Sequence, residues 1–114
     1  MSARDRTGPA PLRAHANVFA ALGEETRLSL VSRLSGGRRQ SITQLANGSA
    51  LTRQAITKHL RVLENVGLVR SSRRGRENLF EFRPQRIDDI KKYLDAVSGQ
   101  WDQVLRRLKA FVED

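Results

Sequence analysis

The sequence predicts a mainly α-helical domain that carries a single β-hairpin, and three observations lead to this prediction. Apolar residues recur every three or four positions along most of the chain, which is the period of an amphipathic helix. Glycines interrupt this pattern at intervals typical of helix ends. In the second half of the chain, two short apolar-rich runs flank the turn sequence SRRGRE. A chain of 114 residues suits one compact domain.

The order of the predicted elements follows from these signals. Residues 1–11 contain two prolines and show no periodicity, so we expect a flexible arm there and one domain over 12–114. Ser41 or Thr43 is the candidate cap of a short third helix. In chain order we expect helices Leu12–Leu22, Glu24–Leu34 and Thr43–Asn47, a fourth helix capped by Thr52 and ended by Gly67, strands Leu68–Ser72 and Asn78–Phe82, and a last helix over about 84–113.

The segment LTRQAITKHLRVLENVGLV, from Leu51 to Val69, combines two kinds of surface on one predicted helix. Its apolar residues have the spacing of a buried face, whereas the positions between them hold Arg, Gln, Thr and Lys and a single acid. The apolar face would anchor the helix to the domain, and the polar face can bond to bases and phosphates. This double pattern is typical of the second helix of a helix-turn-helix, which lies in the major groove of DNA.

The net charge of +9 is concentrated in one part of the chain. From Arg38 to Arg76 the sequence holds nine bases and one acid, Glu64, a net charge of +8. Evenly spread charge would indicate only a solvated surface. Charge gathered in one segment favours a polyanionic partner instead, and nucleic acid is the commonest polyanion.

A helix-turn-helix followed by a basic hairpin is a winged helix-turn-helix, and this arrangement predicts which side chains contact DNA. Arg53 and Gln54 suit the edges of guanine and adenine, respectively. Thr57 suits a thymine methyl group or a phosphate, and Lys58 and Arg61 suit the phosphate backbone. We expect the hairpin arginines to reach the neighbouring minor groove or its phosphates. The predicted DNA contacts are Thr43, Gln44, Thr52, Arg53, Gln54, Thr57, Lys58, Arg61, Arg73, Arg74 and Arg76.

The last predicted helix repeats apolar residues in steps of three and four from Ile87 to Phe111, which is a heptad seam. Such a seam either packs back on its own domain or pairs with a second copy of the chain. The hydrophobic fraction of 39% favours pairing, so we expect a homodimer through the first and last helices. Gly99 is a candidate kink in the seam. The predicted dimer interface comprises Leu12, Phe19, Ile90, Leu94, Val97, Trp101, Val104 and Leu108.

Three segments resemble one known family. The stretch TRQAITKHLRVLENVGLV is similar to the recognition segment of ArsR/SmtB-type repressors, FAALGEETRLSLVSRL to their opening helices, and RRGRENLFEF to their wing. The resemblance covers about Phe19 to Leu94. It implies a homodimeric winged-helix transcriptional regulator that binds an inverted-repeat operator and represses.

The chain departs from the family pattern where many members sense metals. The stretch SITQLANGS lacks the cysteine pair that holds thiophilic metals in those members, and the last helix has aspartates but no histidine. The ending WDQVLRRLKAFVE resembles members without metal ligands. We therefore expect no metal and no cofactor, and the inducing signal stays open. Ala50 stands where the family has its turn glycine, with Gly48 two places earlier.

Few residues of the chain suit catalysis or metal binding. The chain has no cysteine and two histidines, His15 and His59. We expect His59 on the buried flank of the fourth helix, whereas His15 near the dimer interface could supply one metal ligand. Asp88 and Asp89 are adjacent and point to different sides of a helix, which is poor geometry for a catalytic pair. We expect the chain not to be an enzyme.

The expected setting is a soluble, cytoplasmic protein with double-stranded DNA and a second copy of itself as partners, because no apolar run approaches a membrane span. Two alternatives stay open. One is a DNA-packaging or RNA-binding protein that uses charge without reading sequence. The other is a dimer that acts through protein partners. Sequence specificity and salt-dependent DNA affinity distinguish the three.

Overall fold

The computed structural model of the chain describes residues 9–113. Within these residues, five helices and three strands follow one another in the order expected of a helix-turn-helix with a wing. They are α1 (Pro9–Leu22), α2 (Glu25–Leu34), β1 (Gln40–Ser41), α3 (Ile42–Ala46), α4 (Arg53–Asn65), β2 (Val69–Arg74), β3 (Glu77–Phe82) and α5 (Gln85–Glu113). The predicted mainly α fold with a β-hairpin wing is confirmed.

The helix ends follow the capping chemistry of the sequence. Helix α1 starts at Pro9, three residues before the predicted Leu12, because proline is tolerated in the first turn of a helix. The last three residues of the predicted arm, 9–11, therefore belong to α1. Residues 1–8 of the predicted arm lie outside the described residues. Of the two candidate caps of α3, the structure uses Ser41, whose hydroxyl accepts from the Gln44 N–H while the Gln44 side chain accepts from the Ser41 N–H.

A three-stranded antiparallel sheet in the order β1-β3-β2 closes one side of the domain. The strands β2 and β3 form the predicted hairpin, with Val69 opposite Phe82 and Arg74 opposite Glu77. No sequence pattern predicts β1, whose two residues pair with Leu79 and Phe80 of β3. Two residues are too few to show the alternation that marks a strand.

One apolar core joins the helices to the sheet. Phe80 of β3 is among its largest fully buried side chains, and every helix contributes at least one buried residue. Burying each such side chain contributes about 1.5–3 kcal/mol. The fully buried set comprises Leu34, Leu45, Ile56, Leu60, Leu63, Leu68, Val69 and Phe80.

Helix α5 belongs to this core only through its first turns. Ile90 is 5% exposed and Ile87 packs on the same cluster. Ile90, which the sequence analysis places in the dimer interface, is thus already buried by its own domain, and the interface itself stays a prediction. Beyond Ile90 the seam emerges into solvent, with Leu94 48% and Trp101 61% exposed. The helix continues through Gly99 without a break.

The long α5 gives the chain an elongated outline. Its 29 residues span roughly 44 Å at the rise of an α-helix, and the described part of the molecule measures 68 × 40 × 21 Å. Within residues 9–113, no helix is both long and apolar enough to cross a membrane.

Candidate nucleic-acid interface

The helix-turn-helix is formed by α3 and α4, and α2 supports it from behind. The Arg33 guanidinium of α2 donates to the Leu45 carbonyl at 2.7 Å and to the Gln44 carbonyl at 3.0 Å. These carbonyls belong to the last turn of α3, where few intrahelical donors remain, although the Gln44 carbonyl also accepts from the Asn47 N–H at 3.2 Å. Arg33 therefore satisfies the end of α3 and fixes it on α2.

The turn between α3 and α4 uses Gly48 rather than the expected position 50. Gly48 has φ +80°, a left-handed conformation that L side chains rarely adopt. Ala50 therefore does not disturb the turn, because the glycine that the turn requires lies two residues earlier. Thr52 then caps α4, and its hydroxyl accepts from the Ala55 N–H at 3.1 Å.

Helix α4 has the two faces that the sequence predicts. Ile56, Leu60 and Leu63 are at most 1% exposed and face the core. The predicted base-reading side chains Arg53 and Gln54 are exposed at its N-terminal end. Lys58 and Arg61 are exposed one and two turns further along. The helix thus presents a row of hydrogen-bond donors to solvent while its other face is anchored.

Three of the uncharged predicted contact residues, Gln44, Thr52 and Thr57, have side-chain hydrogen bonds within the domain. The Thr57 hydroxyl donates to the Arg53 carbonyl at 2.8 Å, so its methyl group is the part left for a thymine. The Thr52 hydroxyl is committed to the cap of α4. The Gln44 Oε1 accepts from the Ser41 N–H, which leaves its amide N–H groups to donate. Thr43 is exposed beside Gln44.

The wing, defined here as β2, β3 and the turn between them, ends in a two-residue loop, Gly75-Arg76. Gly75 has a positive φ of +63°, whereas the φ of Arg76 is not positive. A positive φ at the first loop residue alone is the pattern of a type II′ hairpin turn. The Arg73 Nε donates to the Gly75 carbonyl at 3.4 Å. Arg73, Arg74 and Arg76 are all exposed at this tip.

Ion pairs reduce the free charge of the basic segment. Glu81 of β3 pairs with Arg70 at 2.9 Å and with Arg39 at 3.8 Å. The hydrogen bond from Arg70 lowers the pKa of the Glu81 carboxyl, against a smaller opposing effect of desolvation. Arg61 lies 3.6 Å from Glu64. Among residues 9–113, the bases of this segment without an ion pair are Arg38, Arg53, Lys58, Arg73, Arg74 and Arg76.

His59 is half-buried behind the exposed face of α4, on the flank where the sequence analysis put it. Its Nδ1 lies 3.3 Å from the Arg27 guanidinium and 3.7 Å from the Glu24 carboxylate. Arg27 also donates to the Ala21 carbonyl at 2.7 Å. This small network joins the C-terminal end of α1, the start of α2 and the recognition helix α4.

His15 lies on α1 and takes no part in this network. Its ring packs against Tyr93 of α5 with centroids 4.9 Å apart. Within the described residues, no group of three or more His, Asp or Glu side chains is arranged to hold a metal ion.

Two residues that the sequence analysis did not assign to the site support it. Arg27 was not singled out, because it belongs to an ordinary amphipathic helix. Glu64 was noted only as an acid among bases, yet its carboxylate accepts from the Ser71 hydroxyl of β2 at 2.7 Å. The isolation of that one acid in a basic segment is the signal that pointed to it.

Comparisons with known proteins agree with this geometry. Residues 22–72 match the model of a helix-turn-helix domain. The chain is 35% identical over 81 residues to the uncharacterized HTH-type transcriptional regulator YuzN of Bacillus subtilis, an alignment that spans 66% of this chain and 88% of that protein. It is also 35% identical to the structure of an ArsR-like transcriptional regulator from Rhodococcus sp. RHA1, with a TM-score of 0.78 over 88% of this chain and 93% of that one.

A third likeness extends over more of the chain at lower identity. The solution structure of a winged helix-turn-helix DNA-binding domain from Mycobacterium bovis, described as homodimeric, matches with a TM-score of 0.64 over 94% of this chain and 95% of that one, at 23% identity. This likeness concerns the fold. Together with the closer relatives, the helix-turn-helix and the wing establish that the chain belongs to the ArsR family of winged helix-turn-helix, DNA-binding transcriptional regulators.

Proposed function

We propose that the protein is a homodimeric repressor that reads an inverted-repeat operator and does so without a metal ion. The observation that carries this proposal is the exposed row of donors on α4 together with the exposed arginines of the wing tip. A helix N-terminus with Arg53 and Gln54 suits base edges in the major groove. The wing arginines Arg74 and Arg76 suit the adjacent backbone or minor groove.

The homodimer is supported by the exposed part of α5. Leu94, Trp101 and Leu108 are about half exposed or more, as is Leu12 on α1. An isolated soluble chain rarely leaves so many large apolar side chains of one helix in water. Phe19 packs near Tyr93 of α5, with ring centroids 6.3 Å apart, so α1 and α5 form one surface. The homodimeric relative from Mycobacterium bovis agrees with this proposal.

The two-fold symmetry of the dimer predicts a DNA site that is also two-fold symmetric. A dimer places two copies of α4 on the duplex, and equivalent helices reach successive major grooves about one helical turn, roughly 34–36 Å, apart. The operator is then an inverted repeat whose half-site centres have about that separation. A bound dimer occupies the operator, and repression follows when the operator overlaps a promoter.

Selection of binding sites from a random duplex library tests the operator. The expected result is enrichment of one inverted repeat, with an affinity at least about a thousandfold above that for scrambled duplex. Footprinting on the DNA upstream of the protein's own coding sequence then locates the natural site. A DNA-packaging protein would enrich no sequence, and a dimer acting only through protein partners would show no salt-dependent affinity for DNA.

Metal independence is supported by the donor set. The chain has no cysteine, and soft ions such as arsenite and cadmium need thiolates. The His15 ring, the one imidazole on α1, packs against Tyr93. Titration of the protein–operator complex with zinc, cadmium and arsenite, beside a chelated control, should leave affinity unchanged. Release at micromolar metal that is abolished by His15→Ala would contradict this part of the proposal.

A further inference from the structure

Glu64 is the one acid among nine bases between Arg38 and Arg76, and it lies in the last turns of the recognition helix α4. Its Oε2 accepts from the Ser71 hydroxyl at 2.7 Å and from the Ser71 N–H at 3.3 Å. Its Oε1 lies 3.6 Å from the Arg61 guanidinium. One carboxylate thus touches both α4 and the wing.

The partner on the wing lies on an open edge of the sheet. The strand order is β1-β3-β2, so β2 pairs on one side only within the described part of the chain. Ser71 is opposite Phe80 in the register of β2 and β3, yet its N–H donates to Glu64. The N–H therefore points away from β3 and toward α4. Glu64 takes the place that a neighbouring strand would have, and it joins the wing edge to the helix.

We propose that Glu64 is a positioning residue that sets the wing at a fixed angle to the recognition helix, so that one duplex meets both surfaces. This inference rests on the DNA-binding function proposed above. Arg74 follows Ser71 by three residues, roughly 10 Å along the strand. If Ser71 can move, the wing tip moves with it, because Arg74 and Arg76 lie further along the wing than the contact between Ser71 and Glu64.

Electrostatics alone gives the opposite expectation, which makes the proposal testable. A carboxylate in the DNA-facing segment repels phosphates, so its removal should strengthen binding to every duplex if charge were its only effect. If Glu64 positions the wing, its removal weakens binding to the operator more than to scrambled duplex. The sign of the change distinguishes the two accounts.

The test compares four variants of the full chain: Glu64→Ala, Ser71→Ala, the double variant, and Glu77→Ala as the charge-matched control. Glu77 is exposed on β3 beside the wing tip. The DNA probes are the inverted repeat that the wild type selects and a scrambled duplex of equal length. Hydrogen–deuterium exchange over residues 69–82, without DNA, reports the freedom of the wing directly.

Glu64→Ala should lower the ratio of operator affinity to scrambled affinity by about three- to tenfold, the usual effect of losing one ordinary hydrogen bond. Ser71→Ala should lower it in the same direction without any change of charge. The double variant should add little to Glu64→Ala, because both changes remove one contact. Exchange over 69–82 should be faster in each, and Glu77→Ala should leave the ratio unchanged.

Tighter binding of Glu64→Ala to both duplexes, with unchanged exchange over 69–82, would overturn the proposal in favour of simple repulsion. Loss of operator preference in Glu77→Ala to the same extent would overturn it as well. If the wild type selects no sequence, the proposed function fails. The exchange measurement then still decides whether Glu64 holds the wing.

Discussion

At the level of single residues, the N-terminal end of α4 and the wing tip should have different effects on DNA binding. Arg53 and Gln54 are exposed where a recognition helix meets base edges. Arg53→Ala or Gln54→Ala should relax base preference by about 1–3 kcal/mol at the position read. Arg76→Ala should weaken binding to all DNA sequences to the same extent. It should also reduce the slope of log affinity against log salt concentration by about 1.

Binding-site selection with each variant measures these preferences, and anisotropy titrations at several salt concentrations measure the slope. Unchanged preferences in both Arg53→Ala and Gln54→Ala would show that this end of α4 does not read bases. Arg76→Ala is the internal control, because it removes the same charge as Arg53→Ala from the wing.

Glu24 should make stability depend on pH. Its carboxylate caps α2 by accepting from the Arg27 N–H at 2.8 Å, and this hydrogen bond, only partly opposed by desolvation, lowers its pKa. A carboxyl whose pKa is lower in the folded state stabilises the fold above its unfolded pKa. That stabilisation is lost as the pH falls through the lowered value.

Thermal unfolding of the wild type and of Glu24→Gln should therefore differ at neutral pH and converge under acid conditions. Glutamine keeps the oxygen that accepts the capping hydrogen bond and removes the charge. The comparison therefore isolates the pH-dependent part of the stability. Equal melting temperatures at neutral pH would show that the charge of Glu24 contributes nothing to the fold. A difference that persists below the lowered pKa would assign the effect to shape rather than ionisation.

Sequence reasoning identified exposed side chains better than it identified their partners. Periodicity indicates which face of α4 is apolar, and exposure of Arg53, Gln54 and Lys58 follows from it. The same pattern carries no information on local hydrogen bonds, so the commitment of the Thr57 hydroxyl to the Arg53 carbonyl was not foreseen. Ile90 was assigned to a partner because a heptad pattern does not tell which surface a seam contacts.

At the level of elements, most helices and both wing strands could be predicted because each carries a local signal. Thr52 caps α4, and glycine with positive φ at position 67 follows that helix. The strand β1 could not be predicted, since its two residues depend on pairing with β3, which lies far along the chain. Local patterns predict elements, whereas distant pairings require the folded chain.

Two glycines should respond in opposite directions to the same substitution. Gly67 has φ +81°, and a Cβ there would come within 3.2 Å of the Arg86 side chain. Gly67→Ala should therefore destabilise the fold by about 1–3 kcal/mol. Gly99 lies inside α5 with nothing within 4 Å of an added Cβ. Gly99→Ala should stabilise it by about 0.5–1 kcal/mol, because alanine is the better helix former.

Urea unfolding of the two variants beside the wild type measures both changes. Each variant is the control for the other, because both add one methyl group to a glycine at the boundary or interior of a helix. Stabilisation by Gly67→Ala would show that the chain can relax the turn after α4. Destabilisation by Gly99→Ala would indicate that a partner packs closely on α5 at this position.

At the level of the whole molecule, charge and apolar surface lie on different parts of the chain. The exposed donors of α4 and the wing belong to the middle segment, and the exposed apolar seam belongs to α5. Pairing through α5 would therefore leave both proposed DNA-binding surfaces free. It would also double the number of phosphate contacts, which steepens the dependence of affinity on salt.

The last prediction concerns this pairing. Trp101 is 61% exposed, so covering it would bury roughly 150 Å2 and contribute about 3–4 kcal/mol for each chain. Trp101→Asp should therefore shift the dimer toward monomer and weaken operator binding with it, since each monomer holds one half-site only. Gln103→Asp, which adds the same charge on the opposite side of α5, should leave both unchanged. Light scattering over a micromolar concentration range measures the mass, and a wild type that is monomeric throughout that range would contradict the proposed dimer.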